Sequence, residues 1–460
     1  MTEKLHSIDL FIILLYIIGI LATGLIQRNS KKGKYEYLLA GRRLTIIPFT
    51  ASLVATWYGG ILGVGEFTYQ YGISNWVVMG LPYYIFASIF AFLFAKKIRE
   101  QNLFTIPERL RHHYGECAGY IGAGLVSILS TPAPYILSCA FLVSFLFNIT
   151  ILSATLFSTA ISFTYVHFGG FRAVVRTDLI QCVIMYAAFS ILVFTCAKNF
   201  AGFQEMKMGL PSLHLSWHGG NSLQYIAVWF FVALWTFIDP NFYHRCIAAK
   251  TASIARRGIF TSIGFWALFD FLTISAGLYS RLLVPELSIK ALSLPILGLN
   301  ILPTVAKGIF FAGLLATIMS TIDSLGLISG ITIGRDILWR TGKIKNQEKA
   351  IKVGVIITTL LSLIFVWIFP SIIKLWYSLG STIIPGLLIP FIATFWIRKP
   401  IRNMPAIMLF STFSSLLWFI IGQLTNKYPF GLEPLYPGLA VSLVWLIIQT
   451  KATRIRILFR

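Results

Sequence analysis

Apolar runs of about 17 to 25 residues, each long enough to cross a bilayer as a helix, follow one another from residue 7 to residue 450 with short polar breaks between them. The pattern predicts an all-α polytopic membrane protein of about thirteen spans, at roughly 7–27, 46–70, 77–96, 118–147, 150–168, 178–198, 223–243, 258–281, 301–331, 352–370, 372–396, 404–424 and 434–450. No polar stretch is long enough for a sizeable soluble domain. The longest outer connections, 199–222 and 282–300, have room for short surface helices.

Two of the runs read as broken helices. In ATWYGGILGVG (55–65) four glycines fall within seven residues, and in WTFIDPNFY (235–243) Pro240 removes a backbone donor and disfavours helix just before it. Unwound backbone at membrane depth is tolerated where it is buried or lines a cavity, so the two breaks point to a site. They lie in the second and seventh spans, five apart, as expected if spans 2 to 6 and 7 to 11 are inverted repeats. The chain then divides into an extra helix and cytoplasmic loop (1–45), repeat one (46–198), an outer loop (199–222), repeat two (223–396) and two C-terminal helices with a tail (397–460). Glycines that merely allow close helix packing are the alternative for the first break.

Composition supports the membrane reading: 57% of residues are hydrophobic, 12% are charged and the mean hydropathy is +0.78, against roughly 25% charged in a soluble domain. The net charge of +22 would suit a nucleic-acid binder, but the basic residues sit in every second loop, at 28–43, 96–111, 172–176, 245–257, 335–352, 398–402 and the C-terminus. The positive-inside rule makes that side cytoplasmic. An odd number of spans puts the N-terminus outside the plasma (inner) membrane and the C-terminus inside. In the first span the strong positive cluster follows the apolar run, so it reads as a retained helix and not as a signal peptide.

The cysteines make no CxxC pair, the histidines no HExxH spacing, and no GxxxxGK loop is present to hold a nucleotide. A disulfide framework, a metal cluster and ATP-driven pumping are not expected, nor is an enzyme, since no nucleophile–base pair is visible. The work must come from ion gradients.

The stretch LLATIMSTIDSLGLISG (314–329) carries polar groups within an apolar span. Thr317, Ser320, Thr321 and Ser324 are spaced i, i+3, i+4, i+7 and share one helix face. A stripe of hydroxyl oxygens suits a hard cation; bonding to their own backbone or to neighbouring helices is the alternative use.

The segments LAGRRL (39–44), ASLVATWYGGILGVG (51–65), GGFRAVVRTDLIQ (169–181), DPNFYHRCIAAK (239–250) and ATIMSTIDS (316–324) together resemble the sodium:solute symporters, which include sugar, proline, pantothenate and sialic acid carriers. The resemblance implies a LeuT-like fold of two inverted five-helix repeats with one helix before them and two after. It implies a sodium ion held by the carbonyls of Ala55 and Tyr58 and the side chains of Ser320 and Thr321, with Thr317 one turn before. Some relatives hold a second sodium, for which the matching residues are Asp178, Ser320, Asp323 and Ser324. A carboxylate deep in a span costs about 2.5–3.5 kcal/mol, so Asp323 should have a partner, a cation or Arg176.

For the substrate, the residues singled out are Trp57, Tyr58 and Leu62 at the first break, Trp235 at the second, and Tyr83 and Tyr84 on the third span. Trp57 departs from the proline carriers, Trp57 and Leu62 depart from the sugar carriers, and the fourth span lacks the arginine of the sialic acid carriers. Glu66 and Asp270 could meet substrate, bind a proton or pair with a base. Asp239 and Arg245, near the cytoplasmic end of the seventh span, read as a gating or structural ion pair. The function expected is import of a small organic solute coupled to sodium by alternating access. A proton-coupled or uncoupled carrier on the same fold, or a membrane sensor, is the alternative.

Overall fold

The computed structural model describes residues 5–26, 34–200, 202–369, 371–397, 401 and 403–458. Among these the chain is helical, and one isolated parallel bridge, Leu44 to Ala249, is its only β pairing. Ten helices are long and apolar enough to cross a membrane, and the bent pair Ile46–Trp57 and Ile61–Tyr71 makes an eleventh. The expected count of thirteen needs two shorter apolar helices as well, Ile151–Thr164 and Leu435–Gln449.

Several helices start where a short polar side chain takes up a free backbone N–H. Thr150, Ser222, Thr251, Asn346 and Ser371 each accept from the N–H three residues on, which satisfies a donor that the helix cannot. The connections expected at 199–222 and 282–300 hold short helices, Phe203–Gly209, Ser212–Leu215 and Ser293–Ile301.

Three expected boundaries differ for local reasons. The fourth span is split into Glu116–Leu129 and Ala133–Phe147, because Pro132 and Pro134 supply no N–H to carry the ladder across the joint. The expected loop 169–177 narrows to a kink: two helices of Ile151–Asn199 meet at one non-helical corner, Gly170 (φ 62, ψ −162), which separates the fifth span from the sixth. A Cβ at Gly170 would come within 2.6 Å of the Tyr37 ring, and a positive φ already favours glycine. Asp178, expected at the end of a span, therefore lies two turns inside a helix. The ninth span also runs further than expected, Ala306–Ile331 continuing as a wider-turned helix Thr332–Trp339.

The hydroxyl helix Ala306–Ile331 is buried on all sides. It packs chiefly against Ile151–Asn199, then against Gln347–Ile368 and Ser7–Ile26, and also against Ala133–Phe147 and Ile46–Trp57. Peripheral helices instead turn large apolar side chains outward, such as Phe11, Leu14 and Leu15 on Ser7–Ile26 and Leu409, Phe410 and Phe413 on Met404–Thr425. At the end bearing the basic loops, Arg335 joins Glu108 (2.6 Å) and Asp336 (2.8 Å), and Arg111 pairs with Glu116 (2.8 Å).

Candidate functional site

The first break is as narrow as the glycines suggest. Helix ends at Trp57, Tyr58 (φ −96, ψ 16) and Gly60 (φ −88, ψ 29) leave the helical region, and a new helix begins at Ile61, bent 57° from the first. The glycines are required by what lies against them. A Cβ on Gly59 would stand 2.3 Å from Cβ and Oγ1 of Thr321, and one on Gly60 would stand 1.7 Å from the Trp376 ring. The break thus receives the hydroxyl helix on one side and an aromatic ring on the other.

At the second break, Trp235–Ile238 gives way to extended backbone at Asp239 (φ −70, ψ 117), and Pro240 is the first residue of Pro240–Ala248. Proline suits that first position, where its missing N–H is not needed. The Asp239 carboxylate accepts the Asn241 N–H at 2.7 Å, capping the helix.

Between the breaks lies a buried polar centre. Asp178 accepts the hydroxyls of Ser52 (2.5 Å) and Ser320 (2.6 Å). Arg245, 0% exposed, places Nη2 3.5 Å from Asp178 Oδ2. The same nitrogen donates to Ser52 Oγ (2.8 Å), Thr56 Oγ1 (2.7 Å) and Ser324 Oγ (3.0 Å), while Nη1 reaches Asn241 Oδ1 (3.1 Å). A buried charge is tolerated when it is paired and its donors are used; here the guanidinium ties together Ile46–Trp57, Ile151–Asn199, Pro240–Ala248 and the hydroxyl helix. This corrects the expected pairing: Arg245 is at the centre with Asp178, whereas Asp239 serves as a helix cap.

The hydroxyl stripe divides in the structure. Thr317 donates to its own backbone at Gly313 (2.7 Å), the local use. Ser320 donates to Asp178, and Thr321 donates across to the carbonyl of Thr56 at the break (2.7 Å). Ser324 meets Thr56 Oγ1 (3.0 Å) and Arg245. A hydroxyl whose proton is committed keeps its oxygen lone pairs for an acceptor role, which leaves Ser320 and Thr321 suited to ligate a cation. Of the residues matched to a second sodium, Asp178 and Ser324 are both engaged by Arg245; Asp323 is buried on the same helix.

Beside this centre is a cavity of about 1120 Å³, its open mouth included. Trp57, Tyr58, Tyr83 and Trp235 are part of its lining. Trp57 is held edge-on to Tyr83 and tilted on Trp266, with centroids 4.9 Å apart in each case. Leu62 is not part of the lining and lies wholly in the core. Tyr84 acts from behind: its hydroxyl and that of Tyr58 (2.9 Å) both donate to Asp270, whose carboxylate lines the cavity. Glu66 lies outside the lining, accepting from Gln70 (3.4 Å). The sequence reading missed Trp76, Tyr135, Trp229 and Trp376 on the wall. Gly60 was the one available signal for Trp376, since a backbone kept bare invites a ring.

A model of the sodium:solute symporter family matches residues 37–398. Over nearly its whole length the chain is similar to the sodium/pantothenate symporter of Escherichia coli (strain K12), 24% identical over 95% of this chain and 94% of that protein. It is likewise similar to the sodium/pantothenate symporter of Haemophilus influenzae, 25% identical over 98% and 97%. The backbone follows that of a Na+-coupled sialic acid symporter in a substrate-bound outward-open state, with a TM-score of 0.82, 98% of each chain covered and 14% identity. The fold is LeuT-like.

Proposed function

Because the chain belongs to the sodium:solute symporter family and so couples transport of a small solute to sodium, we propose that its sodium ion binds between the first break and the hydroxyl helix. The ligands are the carbonyls of Ala55 and Tyr58 and the hydroxyl oxygens of Ser320 and Thr321. The observation that carries this reading is the placement of Thr321 against Gly59, with its proton committed to Thr56 and its oxygen at the break. Thr317, whose hydroxyl is spent on its own helix, is left out. One sodium is coupled per cycle, since the guanidinium of Arg245 already supplies the positive charge beside Asp178 and Ser324.

Sodium joins the broken helix to the hydroxyl helix and completes the wall of the aromatic cavity. Solute and ion are then occluded together and released on the cytoplasmic side. Sodium drives the cycle to the extent that it binds the solute-competent arrangement more tightly than the other. A charge moving down 100 mV supplies about 2.3 kcal/mol, roughly fifty-fold accumulation of solute at 1.4 kcal/mol per tenfold. The N-terminus is outside and the C-terminus cytoplasmic, in the cell membrane. Residues 46–198 and 223–396 act as the two inverted repeats, with 1–45 before them, 199–222 between and 397–460 after. The chain acts as a carrier and not as a catalyst.

Uptake into proteoliposomes under an imposed sodium gradient tests the site. Ser320→Ala and Thr321→Val should each raise the sodium concentration for half-maximal uptake about tenfold or more, a loss of roughly 1.4 kcal/mol per tenfold. Thr321→Ser, which keeps the oxygen, and Thr317→Val should leave it near the wild-type value. Equal sodium dependence in all four variants would remove the ion from this place.

A further inference from the structure

We propose that the solute is a small organic cation with an ammonium head group, held in the cavity between tryptophan faces and the carboxylates of Asp239 and Asp270. This rests on the cavity being the solute site, and it adds the chemical class. Five tryptophans line the cavity, Trp57, Trp76, Trp229, Trp235 and Trp376, and the charged residues of the lining are those two aspartates. No lysine, arginine or histidine is part of it. The nearby guanidinium of Arg245 is bonded to Ser52, Thr56 and Ser324 beside Asp178 and also acts on the charge of Asp239, so Asp270, held by tyrosine hydroxyls, is the carboxylate of the lining that is left to a cationic solute.

The chemistry excludes rivals by charge and by polarity. The face of an aromatic ring is electronegative, and a desolvated cation over it is attracted, most strongly by tryptophan. A carboxylate solute would meet those faces and two like charges with no counter-ion on the wall. A sugar would need a hydrogen-bonding partner for each hydroxyl, whereas Thr56, Asn75, Ser130 and Asn241 on the lining are already engaged within the protein, which leaves the ring N–H and phenol groups, mostly donors. An ammonium group bearing methyls needs apolar faces and one opposite charge.

Asp270 is built in as such a charge. Two tyrosines hold it, Tyr58 at the break, whose hydroxyl is shared between Oδ1 and the Trp266 carbonyl, and Tyr84 on the third span, which donates to Oδ2. Gly80 makes room for it, since a Cβ there would stand 2.8 Å from Oδ2. Asp239 has one oxygen on the Asn241 N–H.

Three probes of one shape separate the classes: choline; its neutral carbon isostere, in which carbon replaces the ammonium nitrogen; and tert-butylacetate as the anion. Binding is read by calorimetry on the purified full-length protein, in sodium and with potassium in its place. Choline should bind at least tenfold tighter than the isostere, and tert-butylacetate weakest. Asp270→Asn and Trp235→Leu should narrow that ratio toward one. A variant that had merely lost its fold would weaken both probes alike and leave the ratio where it was. Equal affinity for choline and the isostere, preference for the anion, or binding of none of the three overturns the assignment. Sodium binding without any organic solute is scored separately. If it persists while choline shows no preference, the cation class fails and sodium coupling stands; if choline binds equally in potassium, the coupling fails and the class stands.

Discussion

Replacing Arg245 with methionine would strand Asp178 in the centre of the protein. The guanidinium nitrogen stands 3.5 Å from the carboxylate, and at an effective dielectric of about 20 two unit charges at that distance attract by about 5 kcal/mol. Removing one member of a buried pair typically costs about 3–5 kcal/mol, because the other is left uncompensated. Arg245→Met also frees Ser52, Thr56 and Ser324 from a shared donor. Asp178→Asn strands the guanidinium in turn. The double variant, with neither charge, should be no less stable than the worse single variant, giving a coupling energy of at least about 2 kcal/mol. Equilibrium unfolding of the purified protein in mixed micelles measures the cycle. If the two costs add to within about 0.5 kcal/mol, the groups are independent, and the argument that Arg245 serves as the fixed counter-charge of Asp178 is wrong. A measured ratio of two sodium charges per solute in the unaltered protein would refute it from the other side.

Two further outcomes follow from the geometry. Gly60→Ala puts a carbon 1.7 Å from the Trp376 ring; overpacking of this kind costs about 1–3 kcal/mol, and solute affinity should fall with the displaced ring, while Trp376→Ala in the same chain should recover the stability measured by thermal unfolding. For topology, Lys345→Cys in a cysteine-free background should resist an impermeant thiol reagent in intact cells and react once the membrane is permeabilised; labelling in intact cells would invert the proposed orientation.

The breaks were legible because their signals are local and chemical. A cluster of bare residues and a proline act on the backbone whatever surrounds them, and the structure puts non-helical residues at 58–60 and at Asp239. The hydroxyl spacing fixed one face of Ala306–Ile331, but on a helix buried all round spacing cannot tell which hydroxyl turns outward and which bonds at home, so Thr317 and Thr321 looked alike. Arg245 was read as part of a cytoplasmic cluster since it follows Pro240 and precedes Lys250; its position depends on Asp178, 67 residues earlier, and on partners from three other helices. Trp229 and Trp376 were invisible for the same reason: in an apolar span a ring facing lipid and a ring facing a cavity have the same neighbours in sequence.

The hydroxyl helix has a history during synthesis as well as a place in the finished fold. With its hydroxyls and Asp323 it is poorly suited to lipid, where a single carboxylate costs about 2.5–3.5 kcal/mol, and in the folded protein it has almost no lipid-facing surface. Of the helices that shelter it, Ser7–Ile26, Ile46–Trp57, Ala133–Phe147 and Ile151–Asn199 precede it in the chain and Gln347–Ile368 follows it; N-terminal segments leave the ribosome first. The polar span therefore emerges into a bilayer where most of its neighbours already wait. Moving it ahead of them by circular permutation would ask the insertion machinery to accept the acid and the hydroxyls with nothing to meet them.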